Sequence, residues 1–244
     1  MNNKIHSYRE YKIKIAALFN GKYDLPTSVQ NMIERGYSIP KNVETDNIDV
    51  LIVGMNPSEK GEQKEYPTFD ELMTNLQGPY WHAINRYLCK EYKFEHIDLF
   101  ALRETHQHLL TKIGDNHNAL DFLAQHLFLT QQLIELIKPK LIIIANKSAL
   151  AYWGKLREYS WMGYSYESVE SDINSIERSL EILKISGLST NYPLPISKLL
   201  YPDFETSLVG TKILFARYQA NGCPKNKQIT KNDIKYILEH NIDE

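Results

Sequence analysis

Four short apolar runs, each followed by polar loop residues, constrain this chain more than any other feature. Asp49-Val50-Leu51-Ile52-Val53-Gly54 is a β-branched run closed by glycine, the pattern of a strand buried on both faces. Pro57 cannot donate to a sheet ladder, so this strand must stop before it. The runs from His96 to Leu102, Leu141 to Ala145 and Thr211 to Ala216 read as three further strands. Helical segments separate them. Residues 69–90 have helical character. Residues 118–138 are amphipathic, with Leu120, Leu123, Leu127, Ile134 and Ile137 on one face, Asn118 as cap and Pro139 as stop. A further helix opens at Ala149, and a last one spans 230–240 behind a Thr230 cap. Ahead of the first strand, Ile5, Tyr8, Tyr11, Ile15 and Leu18 form one apolar face over 4–20, and a second short helix ends near Gly36. Both read as buttresses.

This alternation predicts an α/β fold with three layers, α/β/α, around a four-stranded, mainly parallel sheet. Residues 158–205 are polar, contain several tyrosines and are locally acidic, so they read as an insert before the fourth strand. We read 1–244 as a single domain: a helical extension over 1–45, a core over 48–222 and a C-terminal helix over 223–244.

Lys plus Arg number 28 and Asp plus Glu 30, a net charge of −2, which excludes a uniformly basic nucleic-acid coat but not a local basic patch. Two cysteines, Cys89 and Cys223, support neither a disulfide framework nor a four-cysteine zinc or iron–sulfur site. No stretch approaches the ~18 consecutive apolar residues of a membrane span. The first residues lack the apolar core of a secretory signal. The expectation is a soluble protein of a reducing cytoplasm, with no membrane partner.

In parallel sheets ligands bind beyond the carboxyl ends of the strands, so 54–58, 99–106, 145–148 and 216–222 should gather in one crevice. Gly54-Met55-Asn56-Pro57-Ser58 is the most informative of these. Gly54 permits a sharp turn or close approach, Asn56 offers an amide that both donates and accepts, and Pro57 stiffens the loop. A plain polar turn would have the same composition. His106 and His108 alternate on a strand end, with His117 nearby, yet no Asp-rich or cysteine partner has matching spacing. We therefore expect no metal site and no cofactor.

The order of motifs resembles the uracil-DNA glycosylase superfamily, particularly its mismatch-specific branch. There a first strand ends in a Gly-x-Asn-Pro-Gly-like loop, similar to Gly54-Met55-Asn56-Pro57-Ser58. An aromatic pair opening a helix is similar to Pro79-Tyr80-Trp81, an Arg-x-Thr element to Arg103-Glu104-Thr105, and a Gly-Lys-x-Ala element to Asn146-Lys147-Ser148-Ala149. The third strand's approach resembles Lys138-Pro139-Lys140-Leu141-Ile142. The likeness spans roughly 48–222. Two positions depart from it. The His-Pro-Ser or Asn-Pro-Ser loop after the fourth strand is replaced by Arg217-Tyr218-Gln219-Ala220-Asn221-Gly222, and the Asn that reads the base edge falls near Asp98, Leu99 and Phe100.

The resemblance implies a DNA glycosylase-like hydrolase of base-excision repair, acting on single- or double-stranded DNA. It would cut the N-glycosidic bond of a deaminated or mismatched base flipped into a pocket. Asn56 would be catalytic, orienting water through its carbonyl oxygen. Gly54, Met55, Pro57 and Ser58 would surround the base, and Tyr66 or Phe69 would stack on it. Lys147, Arg217, Gln219 and Asn221 would contact the substrate from the third and fourth strand ends. Two acid-free windows, 136–157 and 206–232, could add a phosphate-contacting rim. The missing fourth-strand motif motivates an alternative: a catalytically inactive nucleic-acid or nucleotide binder of the same fold. A third reading is an unrelated α/β hydrolase acting on a small phosphorylated molecule.

Overall fold

A computed structural model describes residues 4–58, 64–105, 113, 116–156, 161–169, 171, 173–174, 177–220 and 222–240. The central sheet contains β2 (Val50–Gly54), β4 (Phe94–Asp98), β5 (Leu141–Ile144) and β8 (Lys212–Ala216), all mutually parallel; β2, β5 and β8 follow the expected apolar runs, whereas β4 ends at Asp98 and leaves the apolar residues 99–102 of the expected second strand beyond it. A small parallel pair, β1 (Ile39–Pro40) with β3 (Glu65–Tyr66), sits apart from that sheet.

The sheet has six strands rather than the expected four. Residues 158–205, read as a polar insert, contain β6 (Tyr164–Ser168) and β7 (Leu180–Leu188), which add antiparallel to the edge in the order β4-β2-β5-β8-β7-β6. Buried Leu180, Ile182 and Ile185 are spaced among Glu181, Lys184 and Ser186, so the segment never forms an apolar run. Antiparallel strands with one solvated face need none.

Period-two alternation divides the core. Leu51, Val53, Ile142, Ile144, Ile213 and Phe215 point to one side, where α1 (Tyr8–Phe19) and α5 (His117–Ile137) pack. Val50, Ile52, Leu141, Ile143 and Leu214 point to the other, against α4 (Gly78–Asn85) and α7 (Lys231–Glu239). Helices therefore flank a mainly parallel sheet on both faces. Two shorter helices, α2 (Thr27–Glu34) and α6 (Ile196–Leu200), complete the periphery.

The helix expected over 69–90 is instead broken into α3 (Phe69–Thr74) and α4, which opens on Gly78 at φ 79. The Thr68 capping box starts α3, and Thr230 caps α7 as expected. On α5 the cap is Asn116 rather than Asn118, and Lys138 closes the helix in the left-handed region at φ 48 just before Pro139. No helix among the described residues is long and apolar enough to cross a membrane.

Glu135 on α5 joins the added strands to the rest. Its carboxylate accepts from the Tyr164 hydroxyl at 3.0 Å, the Thr206 hydroxyl at 2.7 Å, and the Ser207 backbone N–H and hydroxyl at 2.6 and 2.7 Å. Glu135→Ala strands four donors. It should lower stability by about 1–3 kcal/mol, seen as a lower urea midpoint at unchanged slope.

Candidate functional site

The site begins with register. Parallel pairing sets Gly54, the last residue of β2, opposite Asp98, the last residue of β4. The two chains then continue side by side. The N–H groups of Leu99, Phe100 and Glu104 donate to the carbonyls of Gly54, Met55 and Pro57 at 2.9, 3.0 and 3.1 Å. Asn56 fastens this junction. Its Nδ2 donates to the carbonyls of Pro57, Leu102 and Glu104 at 2.9, 3.2 and 2.6 Å. Carbonyl oxygens only accept, so the amide orientation is fixed, and Oδ1 is left buried without a partner among the described residues.

Gly54 is required by space. A Cβ there would collide with the Asp98 carboxyl and crowd His96 Nε2 and the Tyr80 hydroxyl at 3.1 and 3.2 Å. These three side chains converge on bare backbone. Tyr66 donates its hydroxyl to Asp98 Oδ2 at 3.1 Å, and Tyr80 Oη lies 2.9 Å from His96 Nε2. Trp81 meets Tyr80 and His96 edge-on, and Tyr218 lies nearly parallel to Tyr80 with centroids 6.3 Å apart.

Together these groups line a cavity of ≈ 430 Å³, within the ~300–1,000 Å³ of small-molecule sites. All four strand ends contribute: 54–58, Glu104 and Thr105, Ala145 and Asn146, and Tyr218 and Gln219. No lysine or arginine is among the described lining residues, and the two acids are Asp98 and Glu104. Glu104 is neutralised by Arg35 at 2.7 Å. Asp98 has no cation beside it among the described residues.

Burial dominates the titration of these groups. It pushes the Asp98 carboxyl up to about 7, against the opposing pull of the Tyr66 hydrogen bond. Burial lowers His96 to about 3, so the ring is neutral at ordinary pH, with Nδ1 unpartnered. The Tyr66 and Tyr80 phenols are raised, first by burial and then by the Asp98 charge, and stay protonated.

Of the residues expected from sequence, Gly54, Met55, Asn56, Pro57, Ser58, Tyr66 and Gln219 line the cavity. Phe69 does not: it is 5 % exposed and packs in the core with Ile84 and Tyr87, which leaves Tyr66 as the stacking candidate. Lys147 is exposed and edges a separate groove beside Glu181 and Phe215. Arg217 is half-buried outside the lining. The Gln219 amide is spent on the loop itself, donating to the carbonyls of Arg217 and Lys227 and accepting from Ile229 N–H at 2.8 Å. Asn221, His106 and His108 lie outside the described residues.

Sequence reasoning missed Asp98, His96 and Tyr218 as site residues and used Tyr80 and Trp81 only as a motif. Adjacency of strand ends was the signal that could have found Asp98. The basic windows are thinner than their composition. Lys140 pairs with Asp49 at 2.8 Å, Lys155 with Glu181 at 2.7 Å, and Lys212 donates to the carbonyls of Ile237 and His240. Lys147, Arg217, Lys225, Lys227 and Lys231 have no ion pair among the described residues.

No protein-family model matches this sequence, and comparison with curated proteins gives no match.

Two outcomes follow from the packing. Gly54→Ala should cost about 1–3 kcal/mol in urea denaturation and displace Asp98, because the obstructing atoms converge from three side chains. The raised Asp98 carboxyl carries a sign. The folded state holds this proton up to about pH 7, whereas the unfolded chain releases it near its ordinary value. The site therefore loses stability as pH rises from about 4 to 7 and levels off above. Asp98→Asn removes that loss, so its urea midpoint should climb relative to the parent across the same interval.

Proposed function

We propose that this protein hydrolyses the N-glycosidic bond of a deaminated or mismatched base in DNA, with Asn56 positioning the attacking water. One observation carries the reading: a buried, unpartnered Asn56 Oδ1 held rigidly in an aromatic-walled cavity at the carboxyl ends of a parallel sheet. The order of motifs seen in the sequence supports it.

The base leaves the stack and enters the cavity, where Tyr66 is the stacking candidate. Water held by Asn56 Oδ1 attacks the anomeric carbon. The carbon–nitrogen bond breaks, the electron pair departs with the base, and the proton lost by the water passes to solvent, from which the base anion is protonated. Asn56 is not a base, so its contribution is orientation alone, and the rate depends on how well the base leaves. Among the described residues Lys147, Arg217, Lys225 and Lys227 lie beyond the third and fourth strand ends without an ion pair and are available for phosphate contact. A small phosphorylated substrate is disfavoured, because no described cation lines the cavity.

The second reading, a catalytically inactive nucleic-acid or nucleotide binder, is favoured by one observation. After β8 the Gln219 side chain is spent on bracing its own loop, and Tyr218 is the other described side chain of that loop in the cavity lining.

Single- and double-stranded oligonucleotides carrying uracil, hypoxanthine or mismatched bases, assayed for abasic sites, separate the two. We expect abasic product, and Asn56→Ala to lower the single-turnover rate by about 100-fold or more. Because the amide also braces the junction, the variant's urea midpoint is measured beside its rate. Binding without abasic product on any of these substrates supports the second reading.

A further inference from the structure

Two acid-free stretches, far apart in sequence, meet at one rim of the cavity. No acid lies between Glu71 and Glu91, or between Glu205 and Asp233. Arg86, which closes α4, donates from Nη2 to the Gln219 carbonyl at 2.7 Å and so joins the first stretch to the loop after β8. It is exposed, and its other N–H groups have no partner among the described residues. Lys225 is exposed, Arg217 and Lys227 are half-buried, and none of the three pairs with an acid among the described residues. The bounding acids are taken: Glu91 by Lys235 at 2.6 Å and Asp233 by Arg178 at 2.7 Å. Tyr80, Trp81, Tyr218 and Gln219 belong to the same two stretches and line the cavity.

The other sides differ. Toward β1 and β3, Lys12 pairs with Glu65, Lys41 with Glu71 and Arg35 with Glu104, at 3.0, 2.7 and 2.7 Å. Past β5, Lys147 shares its groove with Glu181, which already holds Lys155. A polyanion gains most where cations are neither neutralised nor buried, because each phosphate contact releases a condensed counterion. Aromatic rings beside such a track let a base turn inward while its phosphates stay outside. We infer that the sugar–phosphate backbone of the substrate strand crosses the cavity on this side, between the end of α4 and the loop after β8, with Arg86, Arg217, Lys225 and Lys227 on its phosphates. The inference rests on the base-excision reading for its partner and adds the side from which the strand enters. Arg86 is central to it: the bond to the Gln219 carbonyl holds the guanidinium in place, and its free N–H groups match a phosphate.

Binding to DNA without a damaged base tests this apart from cleavage. A fluorescent oligonucleotide, single-stranded or in duplex, is titrated with the full chain at salt concentrations from about 50 to about 200 mM, and affinity is read by anisotropy. Four phosphate contacts give log affinity against log salt a slope of about −3 for the single strand. Arg86→Gln should reduce that slope by about 0.7 and weaken binding about fivefold at about 0.1 M salt. Lys225→Gln combined with Lys227→Gln should reduce the slope by about twice as much. Arg86→Lys keeps the charge and should keep the slope. Lys140→Gln, at the opposite end of the sheet and paired with Asp49, should change neither slope nor affinity.

DNA that binds with slope and affinity unchanged by Arg86→Gln and by the lysine pair overturns the inference and leaves the base-excision reading intact. A slope that falls with Lys147→Gln in place of Arg86→Gln puts the strand past β5 and also overturns it. Failure of the parent to bind either form of DNA overturns this inference and the base-excision reading together. Salt-dependent binding that weakens in these variants, without abasic product on any substrate, supports the inference and counts against the hydrolase reading alone. Arg86 also braces the loop, so where Arg86→Gln lowers the urea midpoint the lysine pair decides, since the Lys225 and Lys227 side chains make no hydrogen bond among the described residues.

Discussion

The parallel pairing of β2 with β4, in the register that sets Gly54 beside Asp98, is the constraint on which the rest of the site depends. A strand end with a side chain at position 54 would fill the space where the Asp98 carboxyl, the His96 ring and the Tyr80 hydroxyl converge. The absence of one atom thus lets three polar groups share a small volume. The backbone bonds from Leu99, Phe100 and Glu104 extend the pairing past the sheet, and the Asn56 amide closes it. The loop is an extension of the sheet in all but name. Its rigidity is what gives a single unpartnered oxygen a defined direction.

The arrangement holds polar groups under unfavourable conditions. Asp98 has no cation, His96 Nδ1 and Asn56 Oδ1 have no partners among the described residues, and burial shifts the first two toward neutrality. Elsewhere among the described residues His126 Nδ1, Gln131 Oε1, Gln132 Nε2, Trp153 Nε1 and Ser197 Oγ are also buried without partners, whereas Asp233 takes a two-pronged pair from Arg178 at 2.9 and 2.7 Å. What sets the cavity apart is that its unpartnered atoms stand beside a carboxyl and an imidazole that burial shifts strongly toward neutrality. Aromatic walls compensate in part, since Tyr80, Trp81 and Tyr218 pack their faces and edges there.

β2, β5 and β8 were legible because each is a near-continuous apolar run, as burial on both faces favours, whereas β4 reads Phe-Glu-His-Ile-Asp and lies upstream of the apolar run expected for it. β6 and β7 were not, because β7 mixes Glu181, Lys184 and Ser186 among its buried residues and reads as polar chain. The Gly54–Ser58 loop announced itself by composition, and it lines the cavity as expected. Asp98 did not, since an acid at a strand end looks like any strand terminus until its neighbour is known. Tyr66 and Phe69 were indistinguishable in sequence. The Thr68 cap turns the helix start so that Phe69 enters the core, while Tyr66 pairs in β3 and faces the cavity. Charge windows misled for a related reason: Lys140, Lys155 and Lys212 are consumed by partners distant in sequence.

The claim that binds these observations together is that the cavity receives a flipped nucleobase with Asn56 beside its anomeric carbon. A crystal structure of the protein with 2′-deoxyuridine bound tests it most directly. The account requires the ring against an aromatic wall and the anomeric carbon on the side of Asn56 Oδ1. The nucleoside seated outside the cavity, or inside it with its anomeric carbon turned away from Asn56, would contradict that claim.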